Sequence, residues 1–335
     1  MIITKTPLRI SFIGGGTDFE DFFKKTEGRV LSTSIDKYIY VVVRKQGIIH
    51  DFKYRINWSK TEFKNDINTI EHPIVREAFK LLNINFPIEV STFSDIPSNT
   101  GLGSSSAFAV GLVNALLNLL KIKTTKKKIT DLAIKIELTI LKRNIGIQDH
   151  YASAYGGLNK LIFHTNGKTS IDKLKISKLK KRIFFKNLLI FFTGSTRDAS
   201  KILSYQKKSI QSKNNILNQM VKLVDTASMN CLRGDFDKFA INLNDNWNLK
   251  KQLSPYISNR RINFYLNKGL RSGASGGKLL GAGGGGFLCF YVEKKFHKSV
   301  IKSLNNLIHI PINEDNDGTQ LLELKSFKSH DKKKL

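Results

Sequence analysis

Pro97-Ser98-Asn99-Thr100-Gly101-Leu102-Gly103-Ser104-Ser105-Ser106-Ala107 runs straight into an apolar stretch that ends at Leu120, and the reading of this join decides the fold. A helix N-terminus carries unpaired N–H groups and a partial positive charge, so glycines and small hydroxyls placed there make a seat for phosphate. A serine-capped buried helix accounts for one serine; it leaves the other two and both glycines unexplained. The Walker pattern is absent, because no Gly-Lys-Ser follows four spacer residues.

Glycine concentrates in two further places. Upstream, Pro7-Leu8-Arg9-Ile10-Ser11-Phe12-Ile13-Gly14-Gly15-Gly16-Thr17-Asp18 leads a strand into three glycines, which lets backbone approach a ligand, and Asp18 then offers a carboxylate to hydroxyl groups. The same residues also suit a hairpin turn with Asp18 as the N-cap of a helix through Phe22. Downstream, Gly281 and Gly283 to Gly286 put five glycines within six residues ahead of a strand at 287–292. Ordering so many glycines is costly, so a turn alone is a weak reason for them. Packing against another glycine-rich loop or a substrate is a stronger one.

Between these segments lie Glu137 and then Gly146-Ile147-Gln148-Asp149-His150. Leu132, Ile136 and Ile140 recur every four residues, which predicts a helix carrying Glu137. A lone carboxylate among apolar neighbours is unusual unless it is paired or holds a metal. Asp149 follows the helix-breaking Gly146, and His150 beside it reads as structural. A phosphate seat, a carboxylate for a hard metal and a second carboxylate are the parts that phosphoryl transfer needs.

The chain has 335 residues, 41% of them hydrophobic, which predicts sizeable cores and two domains rather than disorder, collagen or a disulfide scaffold. Strand-like runs at 9–12, 38–44, 88–93, 188–193 and 287–292 alternate with longer helical stretches, predicting an α+β or α/β chain. A basic stretch at 173–186 places the domain boundary near 183, giving an N-terminal domain 1–183 and a C-terminal domain 184–335. Cys231 and Cys289 read as buried thiols of a reducing compartment and have no zinc spacing. The net charge is +28, but only 12 of the 55 basic residues are Arg. Scattered Lys on solvated faces is poor material for reading nucleic acid, so no specific nucleic-acid partner is expected. The N-terminus has no secretory pattern, and the apolar run at 107–120 contains Asn114 and Asn118 and falls short of the ~20 residues that span a bilayer. No membrane contact and a cytoplasmic location are expected; oligomeric state is not legible.

Taken in order, the three segments resemble the GHMP kinase superfamily over nearly the whole chain. The resemblance implies two α+β domains with the active site in the interdomain cleft, and ATP-dependent phosphorylation of a small molecule. It places ATP along Pro97, Gly101, Leu102, Gly103, Ser104, Ser105, Ser106 and Ala107, and Mg²⁺ on Ser105 and Glu137. Asp149 then matches the catalytic aspartate, Arg9 the arginine that faces the transferring phosphate, and Asp18 the aspartate that holds sugar hydroxyls. Finer wording, including Thr193-Gly194-Ser195-Thr196-Arg197, Trp247 with Lys250-Lys251, and Gly276-Gly277-Lys278, resembles the D-glycero-α-D-manno-heptose 7-phosphate kinases. These produce the 1,7-bisphosphate used towards GDP-heptose and surface polysaccharide.

Galactokinases carry an acidic residue and an imidazole where this chain has Gly15 and Gly16, so the pocket here should be roomier and less acidic, which suits a longer, phosphorylated sugar. The substrate side is therefore expected at Gly15, Gly16, Asp18, Gly283 and Gly284. Arg197 is the leading partner for the distal phosphate, with Lys37, His50 and Lys250 as alternatives. Competing readings are a GHMP kinase for fucose, a uronic acid or a hexose, and a non-catalytic nucleic-acid-binding protein on the same fold. Intact Glu137 and Asp149 argue against the last.

Overall fold

The computed structural model describes residues 1–47, 49–195 and 199–322, apart from the side chains of 199–201. A first sheet is built from β1 (Ile2–Ile13), β2 (Gly28–Lys45), β3 (Tyr54–Asn57), β4 (Thr61–Lys64), β5 (Ile88–Ser94), β6 (Leu158–Phe163) and β7 (Thr169–Lys173). A second sheet takes β8 (Leu188–Phe192), β9 (Ala274–Leu279), β10 (Phe287–Val292) and β11 (Ile308–Ile310). β12 (Gln320–Leu321) then returns to pair with β1 in the first sheet. The orders are β12-β1-β2-β5-β3-β4, with β6 joined to β2 and β7 to β6, and β11-β8-β10-β9; among the described residues only the β3–β5 pairing is parallel. The five strand runs expected from the sequence coincide with β1, β2, β5, β8 and β10, the fourth overrunning β8 by Thr193, and the fold is the two-part α+β architecture anticipated.

β1 does not alternate. Residues 6–13 are all buried, the pattern of a strand covered on both faces, and the helices Ser104–Leu119, Asn214–Arg233 and Phe236–Lys251 all pack on it. Pro7 has no N–H to give the ladder, and the register with β2 shifts between Pro7 and Leu8. Beyond that shift, Arg9 N donates to Leu102 O at 3.0 Å, which ties the strand to the glycine-serine loop.

The apolar core is continuous between the sheets. Phe12 of β1 meets Phe184 and Phe239 edge-on, with centroids 5.7 and 5.4 Å apart. Lys278 of β9 is buried and donates from Nζ to Ser11 O (2.9 Å) and Phe12 O (2.6 Å), a polar strut across the same junction. Cys231 and Cys289 are buried free thiols whose pKa burial raises, in keeping with structural cysteines. No helix among the described residues is long and apolar enough to cross a membrane.

Candidate active site

A cleft of about 1110 Å³ opens between the two parts, lined from one side by Arg9, Asp18 and Asp149 and from the other by Leu203, Gln206, Lys250 and Gly281. Along its floor the helix Ser104–Leu119 begins, with Gly103 as its cap residue. Pro97, Gly101, Gly103, Ser104, Ser105 and Ser106 line the cleft, whereas Leu102 and Ala107 are buried behind it as anchors of the loop.

The downstream glycines explain themselves against this loop. Gly101 and Gly281 both have positive φ (+85° and +73°), and a Cβ on Gly281 would sit 2.4 Å from Gly101 Cα. Two backbones therefore touch where no side chain fits. Gly283 and Gly284 pack instead on Ile257, Gly284 N donating to Ile257 O at 2.9 Å, while Gly281 and Ala282 face the cleft.

Asp149 lies in the first turn of the helix Gln148–Tyr155, where Arg9 grips it with Nε on Oδ1 and Nη2 on Oδ2, each at 2.7 Å. Its Oδ2 would be 3.2 Å from a Cβ on Gly103, so the carboxylate stands beside the cap of the Ser104 helix.

The helix expected through Glu137 is only partly regular. An α-segment, Lys126–Ile134, passes into a π-turn at Lys135–Ile140. The four-residue period holds as far as Ile136, fully buried, and fails at Ile140, which is 36% exposed. The extra residue of the π-turn redirects the face that carries Glu137. Ser105 Oγ donates to Glu137 Oε1 at 2.7 Å, and His150 Nε2 lies 2.8 Å from Oε2. Arg143 Nη1 donates both to Ser105 Oγ (2.6 Å) and to Glu137 Oε1 (2.8 Å). Burial alone would push the Glu137 pKa up, but His150, Arg143 and Ser105 together hold it down to about 2, so the carboxylate is ionised. Arg143 carried no signal in the sequence, being one basic residue among many. His150 proves to be the inner partner of Glu137.

Asp18 is not a helix cap. The short helix that follows, Glu20–Phe23, has Phe19 at its N-cap, and the Asp18 carboxylate instead accepts from Gly16 N (2.9 Å) and Gln148 N (3.2 Å). Burial, reinforced by the charge of Asp149, raises its pKa. A Cβ at Gly146 would fall 1.9 Å from Asp18 Oδ2, so Gly146 makes room for this carboxylate as well as preceding the helix.

Gly15 and Gly16 border the cleft beside Ser11, Gln148, Gln206 and Lys250. Lys250 Nζ donates to Gly281 O at 2.6 Å, and burial, aided by Arg9, lowers its pKa to about 8. Lys37 bonds its neighbour Asp36, and His50 stacks on Phe52. Arg197 lies outside the described residues.

A glycine-serine loop at a helix start, with a carboxylate held beside it in a cleft, is a layout that suits a small-molecule kinase. The family description "GHMP kinases N terminal domain" matches residues 71–157, and "GHMP kinases C terminal" matches 228–306. The D-glycero-alpha-D-manno-heptose 7-phosphate kinase of Campylobacter jejuni is 32% identical over 321 residues, 90% of this chain and 93% of that protein. With similarity of that extent, the chain belongs to the GHMP kinases. The mevalonate kinase of Pyrococcus furiosus is 28% identical over 263 residues, 74% of this chain and 73% of its own length. Among solved structures, a D-glycero-D-manno-heptose 1-phosphate kinase from B. thetaiotaomicron superposes with a TM-score of 0.79 at 22% identity, covering 97% of this chain and all of that one.

Proposed function

We propose that the chain transfers phosphate from ATP to the anomeric hydroxyl of D-glycero-D-manno-heptose 7-phosphate, giving the 1,7-bisphosphate used towards GDP-heptose and surface polysaccharide. The observation that carries the chemistry is the place of Asp149, a carboxylate gripped by Arg9 and set beside the cap of the phosphate loop. The acceptor is suggested by the near full-length similarity to the Campylobacter jejuni protein.

On this reading the phosphates of ATP lie along residues 101–107, where loop N–H groups and the helix dipole favour anions. At the other end of the cleft, Trp58 stands edge-on to His72 at 4.8 Å, and His72 lies 4.8 Å from Phe108, an aromatic wall suited to a purine. Ser105 Oγ and the ionised Glu137 are hard oxygen donors 2.7 Å apart, and Arg143 on the same two atoms marks the place as one that holds positive charge. That donor set fits Mg²⁺. Bound there, Mg²⁺ would neutralise charge on the nucleotide phosphates.

Asp149 accepts the proton of the acceptor hydroxyl, and Arg9 keeps its two oxygens in place. The anomeric hydroxyl is more acidic than an ordinary alcohol, so a modest base suffices. Asp18, Gly15 and Gly16 border the sugar. The test is ADP release with Mg-ATP against D-glycero-D-manno-heptose 7-phosphate, sedoheptulose 7-phosphate, mannose, fucose, galactose, glucuronate and mevalonate. Saturable turnover on the aldoheptose phosphate alone is expected; turnover only on another acceptor overturns the assignment.

A further inference from the structure

Gly15 leaves a hole with polar walls. A methyl group there would lie 3.2 Å from Ser11 Oγ, 3.5 Å from Gln148 Nε2 and 3.7 Å from Lys250 Nζ. These three residues come from β1, from the Asp149 helix and from the helix Phe236–Lys251, and they are only 5, 8 and 6% exposed. Ser11 Oγ and Gln148 Oε1 have no hydrogen-bond partner among the described residues. Lys250 Nζ has Gly281 O, one acceptor for three N–H groups. An unpaired buried polar atom costs about 1–3 kcal/mol, so Ser11 Oγ without a partner, beside Gln148 Nε2 and a Lys250 ammonium with N–H groups to spare, points to an oxygen supplied by a ligand.

Charge and hydrogen-bond chemistry select which oxygen. Arg9 and Lys250 face Asp18 and Asp149, and Lys278 lies close enough to Lys250 to feel its charge. Arg9 is already committed to Asp149, and the neighbouring Lys278 directs its Nζ to Ser11 O and Phe12 O. Of these three cations Lys250 alone would be left to meet a phosphate dianion, whose oxygens could only accept. A hydroxyl can accept from Lys250 or from Gln148 Nε2 and donate to Ser11 Oγ.

Resting on the reading of the chain as a kinase for a sugar acceptor, we propose that Lys250, Gln148 and Ser11 form a hydroxyl-reading seat at Gly15, in which Lys250 is a specificity-determining residue. The seat holds a non-reacting hydroxyl of the acceptor beside Asp149, and the phosphate of a phosphorylated sugar lies elsewhere. Gly15 has no left-handed φ to protect, so Gly15→Ala fills the seat with one methyl at little cost to the backbone.

The experiment is steady-state kinetics of wild type, Lys250→Met and Gly15→Ala, with Mg-ATP and either D-glycero-D-manno-heptose 7-phosphate or the same heptose without its phosphate. Each variant is expected to raise the acceptor KM about tenfold or more, the weight of one charge-assisted hydrogen bond, with the ATP KM within about twofold. The penalty should be the same on both sugars. A penalty confined to the phosphorylated sugar overturns the proposal and moves Lys250 to the phosphate. Unchanged acceptor KM in Gly15→Ala, or an equal rise in the ATP KM, also overturns it. Should Lys250→Met not fold, Gly15→Ala decides alone. Wild-type silence on both sugars, with turnover of another acceptor from the panel, overturns the heptose assignment, and the seat is then judged by the same KM split on that acceptor. Silence on the whole panel overturns both.

Discussion

Arg9 and Asp149, 140 residues apart in sequence, are joined by a two-point ion pair, and the third guanidinium nitrogen of Arg9, Nη1, donates to Gly101 O at 2.7 Å. One side chain thus ties the Asp149 carboxylate to the glycine-serine loop. The pair is well shielded, with side-chain exposures of 6% and 21%, so its geometry is held by more than a solvent-screened surface contact.

Asp149→Asn should therefore lower kcat by ~10²-fold or more while leaving the ATP KM within about threefold, since it removes a proton acceptor and not a nucleotide contact. Arg9→Met should cost a comparable factor, and the double variant little more than the worse single one, because the two act as a unit. Steady-state kinetics on the four proteins checks this; an unchanged kcat in Asp149→Asn removes that residue from the chemistry.

Glu137 makes a prediction about acid. Its pKa is held at about 2, against 4.5 for a free glutamate, so its contribution to stability is complete above about pH 4.5 and is lost as pH falls towards 2. Urea unfolding should show the stability gap between wild type and Glu137→Gln narrowing over that window by on the order of 3 kcal/mol. A gap that stays constant with pH would contradict a stabilised ionised Glu137.

Gly281→Ala forces a side chain against the Gly101 backbone at a positive φ. A loss of about 2 kcal/mol or more is expected, seen as a Tm lower by several degrees, together with a higher ATP KM because the phosphate loop must shift. A Tm and KM equal to wild type would mean that the two loops are not in contact.

Lys250 titrates about where enzymes are easily assayed. Burial and Arg9 lower its pKa from 10.5 to about 8, with Asp18 and Asp149 opposing, while Lys278 faces it from β9. Above pH 8 the charged donor is lost, so acceptor kcat/KM should fall there in wild type and lack that limb in Lys250→Met. The folded chain binds fewer protons than the unfolded one between about pH 8 and 10.5, so this group makes stability rise with pH over the same window. A pH–rate profile and pH-dependent unfolding of the same two proteins measure both.

Several residues that meet in the candidate site could be singled out before any fold was known. Arg9, Ser105, Glu137 and Asp149 sit in short segments whose residue types are dictated by the chemistry: glycine where backbone must come close, hydroxyls at a helix start, a carboxylate where no apolar packing asks for one. The mutual packing expected of the glycine-rich segments is realised at Gly101 and Gly281. The regular helix expected through Ile140 was not, because a π-turn is an insertion into helical hydrogen bonding that a hydrophobic period does not encode.

Residue patterns alone gave a mixed helix-and-sheet chain, a helix opening at the serines and the order of the carboxylates, because local geometry and residue chemistry are written in neighbouring positions; the α+β class came from the order of the three motifs. Tertiary structure alone decided that Arg143 closes on Ser105 and Glu137, that Asp18 bonds the Gln148 backbone and not its own helix, and that Lys250 reaches the hole at Gly15. In a chain with 55 basic residues, one lysine or arginine carries no contrast until folding buries it. Which of them lose water and meet a carboxylate depends on how helices far apart in sequence pack on β1, and that is a property of the assembled core.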